Sequence, residues 1–322
     1  EREAAGSGIR EIGGFRLRPV SIDRDDVEGA CTTIADETLW YVHHGLFDLA
    51  REPTIDSEWH EAWAAFRRYN RAFADAIVDD APEGAAVLLQ DHHLALAAPM
   101  IRDRRPDTAI VHFSHTPFGA PHMLRTLPEL ARTELLLGYL SAQRAGFHAG
   151  RWSDDFVASC RETLGIRPRA FVSPLAPDTG TLAETAASVA CEAELIGLDD
   201  VVGDRIVIGR TDRIDPSKNL IRGFWAFDEL LALRPELHER VVFVAALSPT
   251  RERVADYRAY RREMEAVIDE INARWGGPSW TPIHYVPADN LALATAVLRR
   301  YDLLLVNPIR DGMNLVAKEG PL

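Results

Sequence analysis

Short runs of apolar, often β-branched residues recur along the chain, each bounded by turn residues: 85–90, 108–113, 170–172, 205–208, 241–247, 282–286 and 303–306. Runs of that length read as strands buried on both faces, as in a parallel sheet. Between them the apolar positions change period. Trp59, Trp63, Phe66, Asn70, Phe73 and Ile77 fall at three- and four-residue steps, as do Leu220, Phe224, Phe227 and Leu231, which predicts helices there. Strand alternating with helix predicts doubly wound α/β architecture. Pro and Gly punctuate the stretch 175–203 before a small-residue helix, so this is the expected passage between two Rossmann-like halves, with domains over 1–195 and 196–322. Open α/β sheets bind ligands at the carboxyl ends of their strands, and two facing halves predict a cleft between them.

A length of 322 residues suits about two domains. A formal charge of −13 argues against a sequence-independent hold on a phosphate backbone, which comes from clustered Lys and Arg, so nucleic acid is not an expected partner. Cys31, Cys160 and Cys191 are far apart and odd in number; they imply neither a disulfide framework nor a zinc ribbon and fit a reducing cytoplasm. The apolar stretch 94–101 is too short to span a bilayer, and 1–10 lacks the apolar core of a signal peptide, so no membrane is expected.

Four strand ends carry candidate chemistry. In "GRTDRIDPSKNL" (209–220), Asp215 followed by Pro216 predicts a helix start, with Lys218 in its first turn and Arg213 just before it. Two cations at a positive helix end are either solvated loop charges or the clamp of an anion such as a diphosphate. In "QDHHLALAAPMI" (90–101), Asp91 either caps the helix near Leu94 or serves a site. Adjacent Asp91, His92 and His93 converge poorly on one ion, and no metal is expected. "IVHFSHTPFG" (110–119) ends a strand with His112 and His115, where the following turn would lift one ring out of the core. In "NPIRDGMNLVAKE" (307–319), a turn at Arg310-Asp311-Gly312 precedes Asn314, a plausible cap for a helix over 315–319. Free amides from Gly312 to Val316 would point at an anion, with Asp311 and Glu319 as acceptors for hydroxyls, unless this is an ordinary strand-turn-helix. The chain has no nucleophile elbow, GxGxxG or Walker A loop.

These stretches, with "PSWTPIHYV" (278–286), resemble the trehalose-6-phosphate synthase family of retaining glycosyltransferases, over about residues 15–319 and in family order. The resemblance implies two Rossmann-like domains in GT-B architecture and a transferase. It gives catalytic roles to Asp91, His115, Arg213, Lys218 and Asp311. The donor would be held by Arg213 and Lys218 at the diphosphate, by Asp311, Gly312, Met313, Asn314, Leu315 and Val316 at the ring and phosphates, and by Glu319 at the ribose. The acceptor would meet Trp63, Asp91 and Arg251.

Departures from the family pattern bear on substrate. Its phosphate-binding tyrosine falls on Gly45 of "LWYVHHGLFD" (39–48), and Pro216 and Asn219 replace a tyrosine and a glycine of "RLDYSKG". These changes resemble the pseudo-glycosyltransferase branch, which implies GDP-valienol as donor and validamine 7-phosphate as acceptor, joined through a C–N bond. No cofactor is expected beyond the nucleotide-diphosphate donor, GDP-linked on this reading. The sequence leaves the oligomeric state open, with a homodimer as one expectation. Relative to the family, the chain is expected to begin after the first strand and its glycine-rich loop and to stop just past Glu319.

Overall fold

A computed structural model describes residues 10–47 and 53–322. Residues 1–9, most of the stretch read above for a leader, and 48–52, with Asp48 of "LWYVHHGLFD", lie outside the described residues. The chain divides into two compact units, Glu1–Pro174 and Leu175–Leu322.

In the first unit, β1 (Arg10–Ile12) and β2 (Phe15–Leu17) form an antiparallel hairpin, followed by a parallel sheet of β3 (Ala86–Gln90), β4 (Ala109–Ser114), β5 (Arg144–Phe147) and β6 (Ala170–Val172) in chain order. The Trp59–Ile77 period becomes the helix Ser57–Asp80, started by Asp56, whose carboxylate accepts from Trp59 N at 2.9 Å. Trp59, Trp63 and Phe66 enter the core with Leu135, Phe147 and Phe156. The buried Asn70 of that stripe donates to Phe66 O at 2.9 Å and accepts from Leu96 N at 3.0 Å, which meets the requirement that a buried amide be satisfied.

Two expectations change here. Burial of β3 alternates, with Val87 and Leu89 buried and Leu88 65% exposed; among the described strands β3 lies at the edge of this sheet, and helices cover the face that carries Val87 and Leu89. Strand β5 has no apolar run to announce it, because it reads Arg-Ala-Gly-Phe. Its Gly146 lies where a Cβ would run into the rings of Phe113 and Phe171, so close packing requires the residue that hides the strand.

The second unit holds β7 (Ile206–Arg213), β8 (Val241–Ser248), β9 (Ile283–Val286) and β10 (Leu303–Leu304), all parallel in the order β10-β7-β8-β9. Here both faces are covered. Ile208, Phe243 and Ala245 pack with Phe224 and Phe227 of helix Leu220–Leu233 and with Met264 and Ile268 of helix Ala255–Trp275. Val207, Val242 and Val244 pack with Leu198 and Val202 of helix Val189–Val202 and with Leu293 and Val297 of helix Leu291–Arg300. Positions 195 and 196, the expected domain boundary, lie inside that first helix of the second pair, and the stretch 175–203 packs as part of the second unit.

The strand order fixes where this unit can bind. From β7 the chain steps outward to β8 and β9, then returns to the opposite side of β7 as β10. The carboxyl ends of β7 and β10 therefore flank a topological switch point, where side chains and amides diverge and leave room for a ligand.

Candidate active site

Strand β7 delivers Arg213, exposed, at its last position, and Asp215 Oδ1 then accepts from Ser217 N at 2.8 Å. The expected helix start is instead one 3-10 turn, Pro216–Lys218. Asn219 stops it by taking the left-handed conformation at φ 60, and the α-helix restarts at Leu220. Asn219 is held there by Asn307: Asn219 Nδ2 donates to Asn307 O at 3.0 Å, and Asn307 Nδ2 donates to Asn219 O at 3.3 Å. The turn after β7 is thereby tied to the segment after β10.

Lys218 lies where those segments meet. Only 8% exposed, its ammonium is 2.5 Å from Asp311 Oδ2 and 3.5 Å from Asp212 Oδ1. Burial pushes the Asp212 carboxyl above its ordinary value despite the cations of Lys218 and Arg210 beside it. Arg210, fully buried, donates to Lys218 O and to Asn307 Oδ1, each at 2.6 Å, and so staples the turn to the loop. Sequence reading passed over this arginine. Its signal is Gly223, where an added Cβ would lie 2.6 Å from Arg210 Nη1.

The loop after β10 follows its sequence closely. Asn314 Oδ1 accepts from Ala317 N at 3.0 Å and Nδ2 donates to Asp311 Oδ2 at 3.1 Å, ahead of a helix over Val316–Glu319. Among the described residues, the amides of Met313, Asn314, Leu315 and Val316 donate to no protein acceptor. Gly312 is buried and Glu319 is half-buried.

In the first unit Asp91 and His115 stand at the ends of β3 and β4. Asp91 follows β3 with φ 60 and ψ 180, a backbone region that strains any side-chain-bearing residue. Its side chain does not cap the following turn. Instead Oδ1 accepts from His115 N at 3.2 Å and from Thr116 N and Oγ1 at 3.3 Å. Burial pushes this carboxyl up, but His92, His93 and His115 outweigh it and hold it well below the carboxylate range. The result is a fixed carboxylate whose Oδ2 accepts none of these bonds.

His92 and His93 bring ligand atoms within 4.8 Å of Asp91 and of each other, closer than sequence adjacency suggested, because the left-handed Asp91 folds the chain back. The Asp91 oxygen that faces His92 at 3.3 Å is already committed to His115 and Thr116.

His112 is the core histidine of the pair, bonded through one ring nitrogen while its buried Nδ1 has no partner among the described residues. Its Nε2–H donates to Asp91 O at 2.8 Å, since a carbonyl only accepts, and the ring stacks on Tyr139 at 4.0 Å. Burial pulls its pKa from 6.5 down to about 4. The unfolded ring takes a proton where the folded ring does not, so stability present above pH 6.5 is lost as pH falls toward 4, up to about 3 kcal/mol. Thermal melts of His112→Gln, which keeps a donor for Asp91 O, are expected to show a shallower loss across that window than the parent.

The family model described as glycosyltransferase family 20 matches residues 10–320. The chain belongs to glycosyltransferase family 20. Among family 20 relatives, it is 32% identical to the bifunctional trehalose-6-phosphate synthase/phosphatase of Thermoproteus tenax, over 99% of this chain and 44% of that protein. It is 32% identical to the trehalose-6-phosphate synthase of Mycolicibacterium smegmatis, over 95% of this chain and 64% of that protein. The chain thus spans less than two thirds of the length of these relatives. Its fold matches a crystal structure of an α,α-trehalose-phosphate synthase (UDP-forming) from Burkholderia vietnamiensis, with a TM-score of 0.89 and 28% identity over 98% of this chain and 71% of that one. The Burkholderia xenovorans synthase in complex with glucose-6-phosphate gives 0.88 and 26%, over 97% and 71%. The α/β GT-B fold expected from the sequence is thereby borne out.

Of the residues the family 20 resemblance singles out, Lys218 and Asp311 come together in one unit, and Asp91 and His115 in the other. Trp63 lies elsewhere: 2% exposed, it stacks on Trp59 and donates its indole N–H to Glu134 at 2.7 Å, so no ring face is open to an acceptor. Arg251, at φ 47, donates to the buried Asp215 at 3.1 Å and to Tyr257 OH at 3.3 Å. Its guanidinium, expected at the acceptor, is anchored on Asp215.

Proposed function

We propose that the protein transfers a sugar ring from a nucleoside diphosphate to a phosphorylated sugar acceptor with retention of configuration, in the manner of a trehalose-6-phosphate synthase. The observation that carries this reading is the pair of the buried Lys218 with the half-buried Asp311 beside the unspent amides of Met313 to Val316, at the switch point of the second sheet. A departing diphosphate develops negative charge at its bridging oxygen. Lys218, Arg213 and those amides are preorganised donors for it, and such donors are worth several kcal/mol each in a dry site, roughly 3–4 by single removals. Asp311 would exchange its bond to Lys218 for a donor hydroxyl, and Glu319 would take the ribose.

In the transfer itself the bond from the sugar carbon to the phosphate oxygen breaks, the acceptor oxygen bonds to that carbon from the same face, and the acceptor's proton passes to the departing phosphate. No carboxylate nucleophile is required. Asp91 suits the acceptor as a carboxylate favoured in its ionised form, with Oδ2 outside the bonds to His115 and Thr116, and His115 would stand beside the reacting carbon.

A second reading is favoured by Gly45: the pseudo-glycosyltransferase validoxylamine A 7′-phosphate synthase, joining GDP-valienol to validamine 7-phosphate. Gly45 closes the helix Trp40–His44 at φ 68 and offers no hydroxyl where the resemblance calls for a phosphate-binding tyrosine. Asn219 weighs less. It adopts a conformation glycine favours, so its replacement of a glycine leaves the turn intact.

Incubation with UDP- or GDP-glucose plus glucose 6-phosphate, and separately with GDP-valienol plus validamine 7-phosphate, followed by mass spectrometry, decides between them. Trehalose 6-phosphate with released nucleoside diphosphate is the expected result. Coupling of the second pair alone would transfer the assignment to the pseudo-glycosyltransferase, and no product from either would overturn both.

A further inference from the structure

His115 is braced by a residue that no motif contributed. His148, just past β5, is 5% exposed, and its Nε2 lies 3.1 Å from His115 Nδ1. Its other nitrogen, Nδ1, lies 3.2 Å from the backbone carbonyl of Ser173, just past β6. On the far side, His115 Nε2 is 2.7 Å from the side-chain amide of Gln90, the last residue of β3. One hydrogen-bonded row thus crosses the carboxyl ends of β3, β4, β5 and β6, the strands of this sheet among the described residues. Phe113 packs against both rings, with centroids 5.1 Å from His115 and 4.9 Å from His148.

The direction of the row follows from its fixed end. A carbonyl only accepts, so the proton of a neutral His148 is on Nδ1 and its Nε2 carries a lone pair. That lone pair requires a donor, which places the His115 proton on Nδ1 and leaves His115 Nε2 as an acceptor. The Gln90 amide then turns its NH2 toward Nε2, a half rotation that exchanges its oxygen and nitrogen. His115 itself is exposed, so a substrate hydroxyl can replace Gln90 at that lone pair.

We propose that His148 is a positioning residue: anchored on Ser173, it holds His115 in the Nδ1–H tautomer and presents Nε2 as an acceptor for a substrate hydroxyl. The catalytic consequence rests on the transferase reading above; the tautomer does not. Partners that fix the tautomer and orientation of metal-bound histidines contribute about 10- to 100-fold in affinity or activity, and the same scale is taken for His148.

Long-range 1H–15N correlation spectra of the histidine rings at pH 8 should give the Nδ1–H pattern for His115 in the parent and in His148→Gln, whose amide offers both an acceptor for His115 and a donor for Ser173. In His148→Ala the pattern should become mixed or Nε2–H. In turnover assays, His148→Ala should lower kcat by about 10- to 100-fold with KM changed by less than about threefold, and His148→Gln should recover most of it. An Nε2–H pattern in the parent, or an unchanged pattern in His148→Ala, would overturn the proposal, as would a kcat for His148→Gln as low as that of His148→Ala. If the parent turns over no substrate pair, the transferase reading fails while the spectra still decide the role of His148.

Discussion

Lys218→Met is expected to lower kcat by about 10²- to 10³-fold, the loss seen when one preorganised charge is taken from a leaving oxygen. Methionine keeps much of the stem's volume in a site only 8% exposed, so the change is chiefly one of charge. It also leaves Asp212 and Asp311 facing one another without the ammonium that bridges them at 3.5 and 2.5 Å. Breaking a buried ion pair from one side costs about 3–5 kcal/mol, which a melt will register. The two effects separate in Lys218→Met/Asp212→Asn. Removing one of the stranded carboxylates should restore much of the melting temperature and none of the activity. Recovery of activity would mean that Lys218 acts through folding.

Asp91→Ala and Asp91→Gly should both lose at least about 10²-fold in kcat, because each removes the carboxylate offered to the acceptor. They should differ in stability. At φ 60 and ψ 180 an alanine retains the strained Cβ and a glycine does not, so the glycine variant should be more stable in urea by about 1–3 kcal/mol. Equal stability would mean that the conformation is unstrained. Activity in either variant near the parent's would remove Asp91 from the site.

Most of the fold was legible from the chain because its strands are short, apolar and separated by strongly periodic helices. The stripe from Trp59 to Ile77 became one helix, and Asn314 capped its turn as its position suggested. What escaped was written in glycine or in position. Strand β5 was invisible because Gly146 must admit two aromatic rings, and His148, which that strand delivers, went unseen with it. The turn at Pro216–Lys218 was read as a helix start because Asp-Pro commonly is one; its interruption depends on Asn307, far off in sequence. Arg210 and Asp212 looked like ordinary charges next to a strand and are buried partners of Lys218. Trp63 and Arg251 show the opposite limit. Their match to a family pattern says nothing of their local partners, and here Glu134 and Asp215 hold them.

Retention at the transferred carbon is read most directly by 1H NMR of the product formed from UDP- or GDP-glucose and glucose 6-phosphate. The anomeric signal of the transferred glucose should keep the α configuration of the donor, with one nucleoside diphosphate released per linkage. A β-linked product, or release of free glucose without any linkage, would contradict it.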